Sequence, residues 1–201
     1  MSATPSAYSV RRSSPLSVTP GAVCIGCFWL ALNPMALFGP FLLSAALHEL
    51  AHWAVLRAFG CRVTSLRITA LGCVMQTPPL PYPVECRCAL AGPAMNLLLF
   101  FLSLHRHAPL ALVNLILAGF NLLPLWPLDG GRFLRALLWS RSDPVTAQRR
   151  ELRVTLLTLS ALWLGTLWLT TVLHTGLTPA ALTAALTLRA GQEKLVAKKR
   201  A

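Results

Sequence analysis

Two histidines and a glutamate in one short stretch have the types and the spacing of a catalytic metal site. His48 and His52 are four residues apart, so on a helix their side chains share one face, with Cβ atoms about 5 to 6 Å apart. At that separation both imidazoles can bind one zinc ion. Glu49 points about 100° around the helix from His48, where it is suited to take a proton from zinc-activated water. The stretch predicts two metal ligands and a general base.

A third protein ligand is needed, because catalytic zinc usually takes three protein ligands and one water. Asp129 is the candidate, since a carboxylate near the centre of a membrane helix costs on the order of 2.5 to 3.5 kcal/mol and a cation would offset that cost. Asp129 lies three residues before Arg132, and His52 lies five residues before Arg57. Both ligand positions therefore fall toward the cytosolic ends of their apolar segments, as one shared ion requires.

The run that leads to this aspartate carries two prolines. Pro124 and Pro127 each lack a backbone N–H, which would leave the carbonyls of Phe120 and Leu123 without their usual helical partners. Irregular backbone at membrane depth survives only where protein or a water-filled cavity satisfies it. With the amide of Asn121, these carbonyls predict a polar ledge suited to an extended peptide. A plain proline kink is the alternative for the prolines alone.

Small residues occur at two further places. Residues 91–96 (Ala-Gly-Pro-Ala-Met-Asn) put small side chains on a helix face, which permits close approach to a neighbouring helix. Asn96 could hydrogen-bond across the bundle, and packing is the favoured interpretation over direct catalysis. Asn96 is also a candidate for binding substrate. Gly130 and Gly131 would let the chain turn sharply after the ligand.

The composition places these residues in a membrane protein. Of 201 residues, 55% are apolar and 12% are charged, about half the usual charged share of roughly 25%. A soluble domain of this size cannot cover itself with so few charges, and the same numbers exclude a disordered chain. Six cysteines are too few for a small secreted disulfide scaffold. The net charge of +12 fits cations facing anionic lipid better than nucleic-acid binding, because the cations flank apolar runs.

Six apolar segments approach the roughly 20 residues that a membrane-spanning helix needs. They cover residues 19–37, 40–59, 86–104, 108–125, 154–173 and 177–189. Six spans with a cytosolic N-terminus place every cation except Arg106 on the cytosolic side, as the positive-inside tendency favours. A signal peptide with residues 21–32 as its apolar core is the alternative, but no small-residue cleavage site followed by a polar mature chain comes after it.

We therefore expect an all-α, multi-pass protein of the bacterial cytoplasmic membrane, with about six transmembrane helices and both termini in the cytosol. The predicted regions are a disordered tail over residues 1–18, a membrane domain over 19–190 and a basic tail over 191–201. Between the second and third helices, alternation within residues 61–85 predicts a short membrane-associated strand or hairpin and then a proline-rich loop.

Two cysteine pairs suggest metal or redox chemistry but do not fit it well. Cys24 and Cys27 lie inside an apolar segment, and the spacing of Cys86 and Cys88 is wrong for a closed zinc site. Buried, inert thiols are the favoured interpretation.

Three motifs resemble the signatures of one known family. The stretch 48–52 (His-Glu-Leu-Ala-His), the stretch 92–96 and the run 121–131 (Asn-Leu-Leu-Pro-Leu-Trp-Pro-Leu-Asp-Gly-Gly) are similar to those of the site-2 protease metallopeptidases, which cut substrates within or beside the membrane. The last run is especially similar to that of the bacterial sporulation stage IV membrane proteases, which process a sigma-factor precursor. The resemblance covers about residues 20–190. The sequence does not show the C-terminal nucleotide-sensing domain of the sporulation enzyme, so regulation by ATP is not expected. It also does not show the inserted PDZ domain of some other members.

The resemblance implies one zinc ion per chain. Its implied ligands are His48, His52 and Asp129. It further implies that Glu49 activates water and that Asn121 helps to position the substrate. The strand around Gly72 and Cys73 would dip into the membrane and pair with an extended substrate.

The function expected from the sequence is an intramembrane zinc metalloprotease that hydrolyses peptide bonds of membrane-embedded or membrane-proximal proteins, a transcription-factor or sigma-factor precursor among them. The alternative is a catalytically silent chaperone or regulator that binds membrane segments, although binding alone needs no base. Zinc transport would need a chain of ligands along a pathway, and the sequence shows one site. The expected partners are a membrane protein substrate and the lipid bilayer, without nucleic acid. An inhibitory membrane partner and the oligomeric state are left open.

Overall fold

The structure is a computed structural model, which describes residues 16–18, 35–69, 72–172, 174 and 178–200. It is mostly helical with one small sheet, as the sequence predicts. The helices are α1 (Met35–Ala58), α2 (Tyr82–Ser103), α3 (Ala108–Asn121), α4 (Asp129–Arg141), α5 (Pro144–Val172) and α6 (Thr178–Arg200), and the strands are β1 (Leu16–Val18), β2 (Ser65–Thr69) and β3 (Gly72–Gln76).

The three strands form a sheet in the order β1, β2, β3. β2 and β3 are antiparallel, with Ile68 opposite Cys73, so the hairpin predicted within residues 61–85 is present. β1 differs from the prediction, which assigned residues 1–18 to a disordered tail. Leu16–Val18 instead pairs in parallel with β2, where its backbone polar groups gain partners.

The fourth predicted segment, 108–125, is longer than the helix that forms there. α3 ends at Asn121 rather than at residue 125, and Asp129, expected near the end of that segment, begins the separate helix α4. The physical reason lies in Pro124 and Pro127, since neither can supply the N–H that a continuing helix needs. The chain between the two helices forms turns. The predicted third ligand therefore lies at the start of a helix.

The last two helices are longer than the apolar stretches that predicted them. α5 begins at Pro144 rather than at residue 154, and α6 continues to Arg200. At the start of α5, Asp143 accepts a hydrogen bond from the Thr146 backbone N–H at 2.9 Å, and proline suits the first helical position. Hydropathy identifies only the apolar part of a helix. It therefore does not predict the polar turns that lengthen α5 at its start and α6 at its end.

Among the described residues, α2 and α5 are long and apolar enough to cross a membrane, and α3 is apolar but shorter, with 14 residues. Their outer faces expose large apolar side chains: Phe101 is 67% exposed, Leu157 71% and Leu164 68%. Large apolar side chains that are this exposed suit contact with lipid rather than with water. The count of six spans stays a prediction, and nearly all of its first span, 19–37, lies outside the described residues.

Helices α1 to α4 pack against one another and carry the candidate site. Small residues of α2, among them Ala89 and Gly92, are buried where α1 crosses it. α5 and α6 form a second pair, joined by a hydrogen bond of 2.9 Å between the hydroxyls of Thr166 and Thr183. A small core of apolar residues connects the turns before α4 with this pair: Leu125, Leu128, Leu159, Leu186 and Ala190.

Candidate metal centre

The structure brings together the three side chains that the sequence predicts as ligands. The Nε2 atoms of His48 and His52 lie 3.1 Å from each other, and 3.1 Å and 3.2 Å from the Oδ2 atom of Asp129. All three residues are buried, with 6%, 5% and 7% of their surface exposed. Of the described His, Cys, Asp and Glu residues, these three form the one group able to hold a metal ion.

The three atoms have the spacing of a tetrahedral zinc site. Ligand atoms about 2.0 to 2.2 Å from a tetrahedral ion lie roughly 3.3 to 3.5 Å from one another, close to the observed 3.1 to 3.2 Å. Without a cation, two imidazoles and a carboxylate would crowd one buried point in an apolar bundle. The donor set of two nitrogens and one oxygen also matches catalytic zinc, which keeps its fourth position open.

Gly92 leaves space for the Nε2 atoms of His48 and His52. A Cβ atom at this position would lie 2.5 Å from Nε2 of His48 and would overlap Nε2 of His52 as well. The bare backbone of α2 thus forms a cradle that any side chain would fill. The sequence predicts small residues here for helix packing, and the structure adds that this glycine lies directly against both imidazoles.

Each imidazole is held from behind through Nδ1. His52 donates from Nδ1 to the backbone carbonyl of Cys88 at 2.7 Å, and His48 donates from Nδ1 to Oδ1 of Asn96 at 2.5 Å. With the proton on Nδ1, the Nε2 lone pair of each ring is directed at the shared point. Cys88 is a buried free thiol, and the sequence offers no sign that its carbonyl serves the site.

The glycines after Asp129 have a different role from the one predicted. Gly130 and Gly131 lie inside α4 rather than in a sharp turn. A Cβ on Gly130 would lie 2.6 Å from the Leu123 carbonyl oxygen, and one on Gly131 would lie 2.5 Å from that of Leu125. The two glycines therefore let the preceding turns pack directly on the first turn of α4, which holds the aspartate in place.

The polar ledge predicted before the aspartate is not formed in the way expected. The Phe120 carbonyl accepts from the Leu123 N–H at 3.2 Å, and the Leu123 carbonyl accepts from the Leu125 N–H at 2.7 Å. Both carbonyls have partners because the chain turns here instead of continuing as a kinked helix. Asn121 donates from Nδ2 to the Leu117 carbonyl at 3.0 Å and is partly buried, as are both prolines, Pro124 and Pro127.

An ion pair that the sequence does not indicate borders the site. Arg132 of α4 bonds to Glu85 of α2, with Nη2 and Nε 2.8 Å and 2.9 Å from Oε1, and its Nη1 lies 3.7 Å from Oδ1 of Asp129. The sequence treats Arg132 only as a cation at the cytosolic end of a segment. No spacing rule could find the pair, because the two residues are 47 positions apart.

The remaining predicted residues lie on three different elements. Glu49 is partly buried on α1, next to His48. Asn96 is fully buried, 0% exposed, and bonds to His48. Gly72 and Cys73 are the first residues of β3.

Three comparisons relate the chain to known proteins. The model of peptidase family M50 matches residues 103–164, the part that contains Asp129. The chain is 32% identical over 124 residues to a zinc metalloprotease of Methanocaldococcus jannaschii, and the alignment covers 55% of this chain and 35% of that protein. It is 31% identical over 129 residues to stage IV sporulation protein FB of Bacillus subtilis, and that alignment covers 57% of this chain and 44% of that protein. The chain thus spans less than half the length of these curated relatives.

The fold gives a wider match than the sequence. The structure aligns with a site-2 protease from Methanocaldococcus jannaschii with a TM-score of 0.64 and 22% identity, and the alignment covers 92% of this chain and 93% of the other. The resemblance drawn from the three motifs is thereby confirmed: the chain is similar in sequence to peptidase family M50 and has the fold of a site-2 protease.

Proposed function

We propose that this chain is an intramembrane zinc metalloprotease with one zinc ion per chain. The observation that carries the proposal is that the side chains of His48, His52 and Asp129 meet in the buried interior, with their nitrogen and oxygen atoms as far apart as the ligand atoms of a tetrahedral zinc site. Glu49, an acid, follows His48 directly in the sequence. The relatives named as zinc metalloproteases support the same reaction. A catalytically silent protein of this fold is not favoured, because a binding role needs neither an ion nor Glu49.

The chain's own residues divide the reaction among them. When bound by the two histidines and Asp129, zinc supplies the Lewis acid that polarises the scissile carbonyl and acidifies a water molecule. Glu49 accepts a proton from the attacking water as its oxygen bonds to the carbonyl carbon. Glu49 then gives the proton to the amide nitrogen as the C–N bond breaks. Asn121 helps to position the substrate on the side of α3 that leads to the site.

The substrate class follows from the surroundings of the site. The exposed apolar faces of α2 and α5 suit a bilayer, so a substrate has to arrive within or beside the membrane. A helical peptide bond is shielded by its own hydrogen bonds, so the substrate must be extended where it is cut. Among the described strands, β3 (Gly72–Gln76) has a neighbour on one side only, and an edge strand can pair with an extended segment that adds to the sheet as a further strand.

The proposed topology is six membrane spans with both termini in the cytosol of a bacterial cell and with Pro124 and Pro127 shaping the approach to the site. A periplasmic reporter fused after Ala201 should be inactive, and an active fusion would contradict this topology.

Glu49→Gln tests the reaction. We expect the purified variant to bind one zinc per chain like the unaltered protein, and to lose cleavage of co-expressed single-span membrane proteins by at least about a hundredfold, the usual contribution of a general base. Asp129→Ala should lose both the bound zinc and the cleavage. The readouts are metal content of the purified chains and the amount of cut substrate on immunoblots. Normal cleavage by Glu49→Gln would refute the mechanism.

A further inference from the structure

Two asparagines lie fully buried behind the candidate metal centre. Asn96 of α2 and Asn114 of α3 both have 0% of their surface exposed. A buried amide without partners costs several kcal/mol on transfer from water, roughly 2 to 7 by the common scales. The polar groups of these two side chains must therefore be matched inside the bundle.

The two amides form a directed series of hydrogen bonds that ends on a metal ligand. Asn114 donates from Nδ2 to the Leu110 carbonyl at 2.9 Å. Its Oδ1 accepts from Nδ2 of Asn96 at 2.8 Å, and that Nδ2 also approaches the Ser44 carbonyl at 3.5 Å. Oδ1 of Asn96 then accepts from Nδ1 of His48 at 2.5 Å.

The direction of the whole series is determined by its far end. A backbone carbonyl can only accept, so the Leu110 carbonyl requires the amide nitrogen of Asn114 to face it. The oxygen of Asn114 then faces Asn96, whose own nitrogen must turn toward it. The oxygen of Asn96 is left for His48, where it requires a proton on Nδ1 and leaves Nε2 free to bind a metal.

We infer that Asn114 is a positioning residue for the metal site: acting through Asn96, it selects the tautomer and the ring orientation of His48. This inference rests on the proposed zinc site and does not depend on proteolysis. The other histidine is held differently, since a backbone carbonyl, that of Cys88, accepts from Nδ1 of His52. Only His48 therefore depends on side chains that a substitution can remove, and it depends on a third helix, α3.

The test is zinc affinity of the purified chain, measured by competition with a chelator of known affinity. Asn114→Leu keeps the side-chain size but removes the acceptor for Asn96, and we expect about tenfold weaker zinc binding, the low end of the usual loss for outer-shell partners. Asn114→Asp keeps an acceptor oxygen, and in its protonated form also the donor to Leu110, so its affinity should stay close to that of the unaltered chain.

Ser44→Ala is the matched control. Ser44 is equally buried, one helical turn before His48, and its hydroxyl has no hydrogen-bond partner among the described residues. Removing that hydroxyl should leave zinc affinity unchanged. The absorption spectrum of the cobalt-substituted protein is the second readout, because it responds to ligand geometry: we expect it to change in Asn114→Leu and to be retained in Asn114→Asp and Ser44→Ala.

Unchanged zinc affinity in folded Asn114→Leu would overturn the inference, and so would an equal loss in Asn114→Leu and Asn114→Asp. Should the leucine variant fail to fold, Asn114→Ala removes the same amide without adding apolar bulk and is judged by the same criteria. The outcome is separable from the proposed function. A chain with the expected zinc affinities that cleaves no substrate would refute the protease and leave the role of Asn114 intact.

Discussion

The candidate metal ligands of this protein are held in place by residues that are not themselves candidate ligands. His48 and His52 have the right spacing on α1, but their Nε2 atoms converge only because Nδ1 of each ring is held and because Gly92 leaves the space in front of them clear. A group that bonds to the second nitrogen of a metal-binding histidine fixes the orientation of the ring and so the position of the metal. A substitution outside the ligand set should therefore weaken binding without removing a ligand.

Gly92→Ala tests this at the scale of a single methyl group. The added Cβ would overlap both Nε2 atoms, so we expect zinc affinity to fall by about tenfold or more. Gly119→Ala is the control, since Gly119 lies on a helix with nothing within 4 Å of the added atom. That change should leave zinc affinity unaltered and, through helix propensity, raise stability by up to about 1 kcal/mol. Competition titration and thermal unfolding check both variants. Equal zinc affinities in the two variants would contradict a cradle at Gly92.

At the scale of elements, the site is built from the ends and faces of helices. Asp129 begins α4, where the helix dipole favours a negative charge. The turns that precede it rest on Gly130 and Gly131, and the Glu85–Arg132 ion pair ties the start of α2 to the first turn of α4. The position of the aspartate is therefore a property of how α2, α4 and the turns fit together.

The start of α5 offers a pH-dependent test outside the membrane-spanning part. The hydrogen bond from the Thr146 N–H holds the pKa of the Asp143 carboxyl below its ordinary value. A lowered folded-state pKa stabilises the fold above the ordinary value of about 3.9 and loses that effect as the pH falls through the folded value. Asp143→Ala should therefore lower the melting temperature at pH 6 and lower it less below pH 4.

Asp143→Asn is the control for that experiment. Asparagine caps a helix about as well as aspartate but does not titrate. Its effect on the melting temperature should be small at pH 6, and we expect no weakening of the cap at low pH. An Asp143→Ala effect that is the same at pH 6 and pH 3.5 would show that the carboxylate is not the capping group.

At the scale of the whole molecule, the ion would connect helices that are far apart in the chain. His52 and Asp129 are 77 positions apart and their ligand atoms lie 3.2 Å apart. Zinc bound between them would join α1 to α4 and would neutralise a carboxylate that is otherwise costly in hydrocarbon. Metal occupancy should therefore affect the stability of the fold as well as the chemistry.

Zinc removal tests this connection. An ion that binds only the folded state stabilises it by RT ln(1 + [L]/Kd), about 4 kcal/mol at a thousandfold excess over Kd. Chelation should lower the melting temperature of the unaltered protein, and added zinc should restore it. Asp129→Ala should lose most of this response, while His105→Ala, which changes a histidine outside the site, should keep it. A melting temperature that does not respond to zinc in the unaltered chain would refute a metal link between α1 and α4.

The sequence by itself determined the candidate ligands and the helical, membrane-adapted class. Helical periodicity puts His48 and His52 on one face whatever the rest of the chain does. The cost of burying a carboxylate in an apolar chain singles out Asp129, because something must compensate it. Both arguments are local or compositional, and so they survive without knowledge of packing. The small size of residues 91–96 predicts a close helix contact for the same reason.

Only the tertiary structure decided what supports those ligands. Asn96 meets His48 across 48 positions, and Arg132 meets Glu85 across 47. Contacts between residues so far apart in the sequence depend on how the helices pack. The periodicity within one segment does not predict them. The turns between α3 and α4 likewise depend on Gly130 and Gly131 of α4, on which they pack. The sequence alone predicts a kinked helix here, with backbone carbonyls free to bind a peptide, but those carbonyls are hydrogen-bonded within the turns. Local rules predicted the candidate ligands, and the geometry that would let them share one ion comes from contacts between distant parts of the chain.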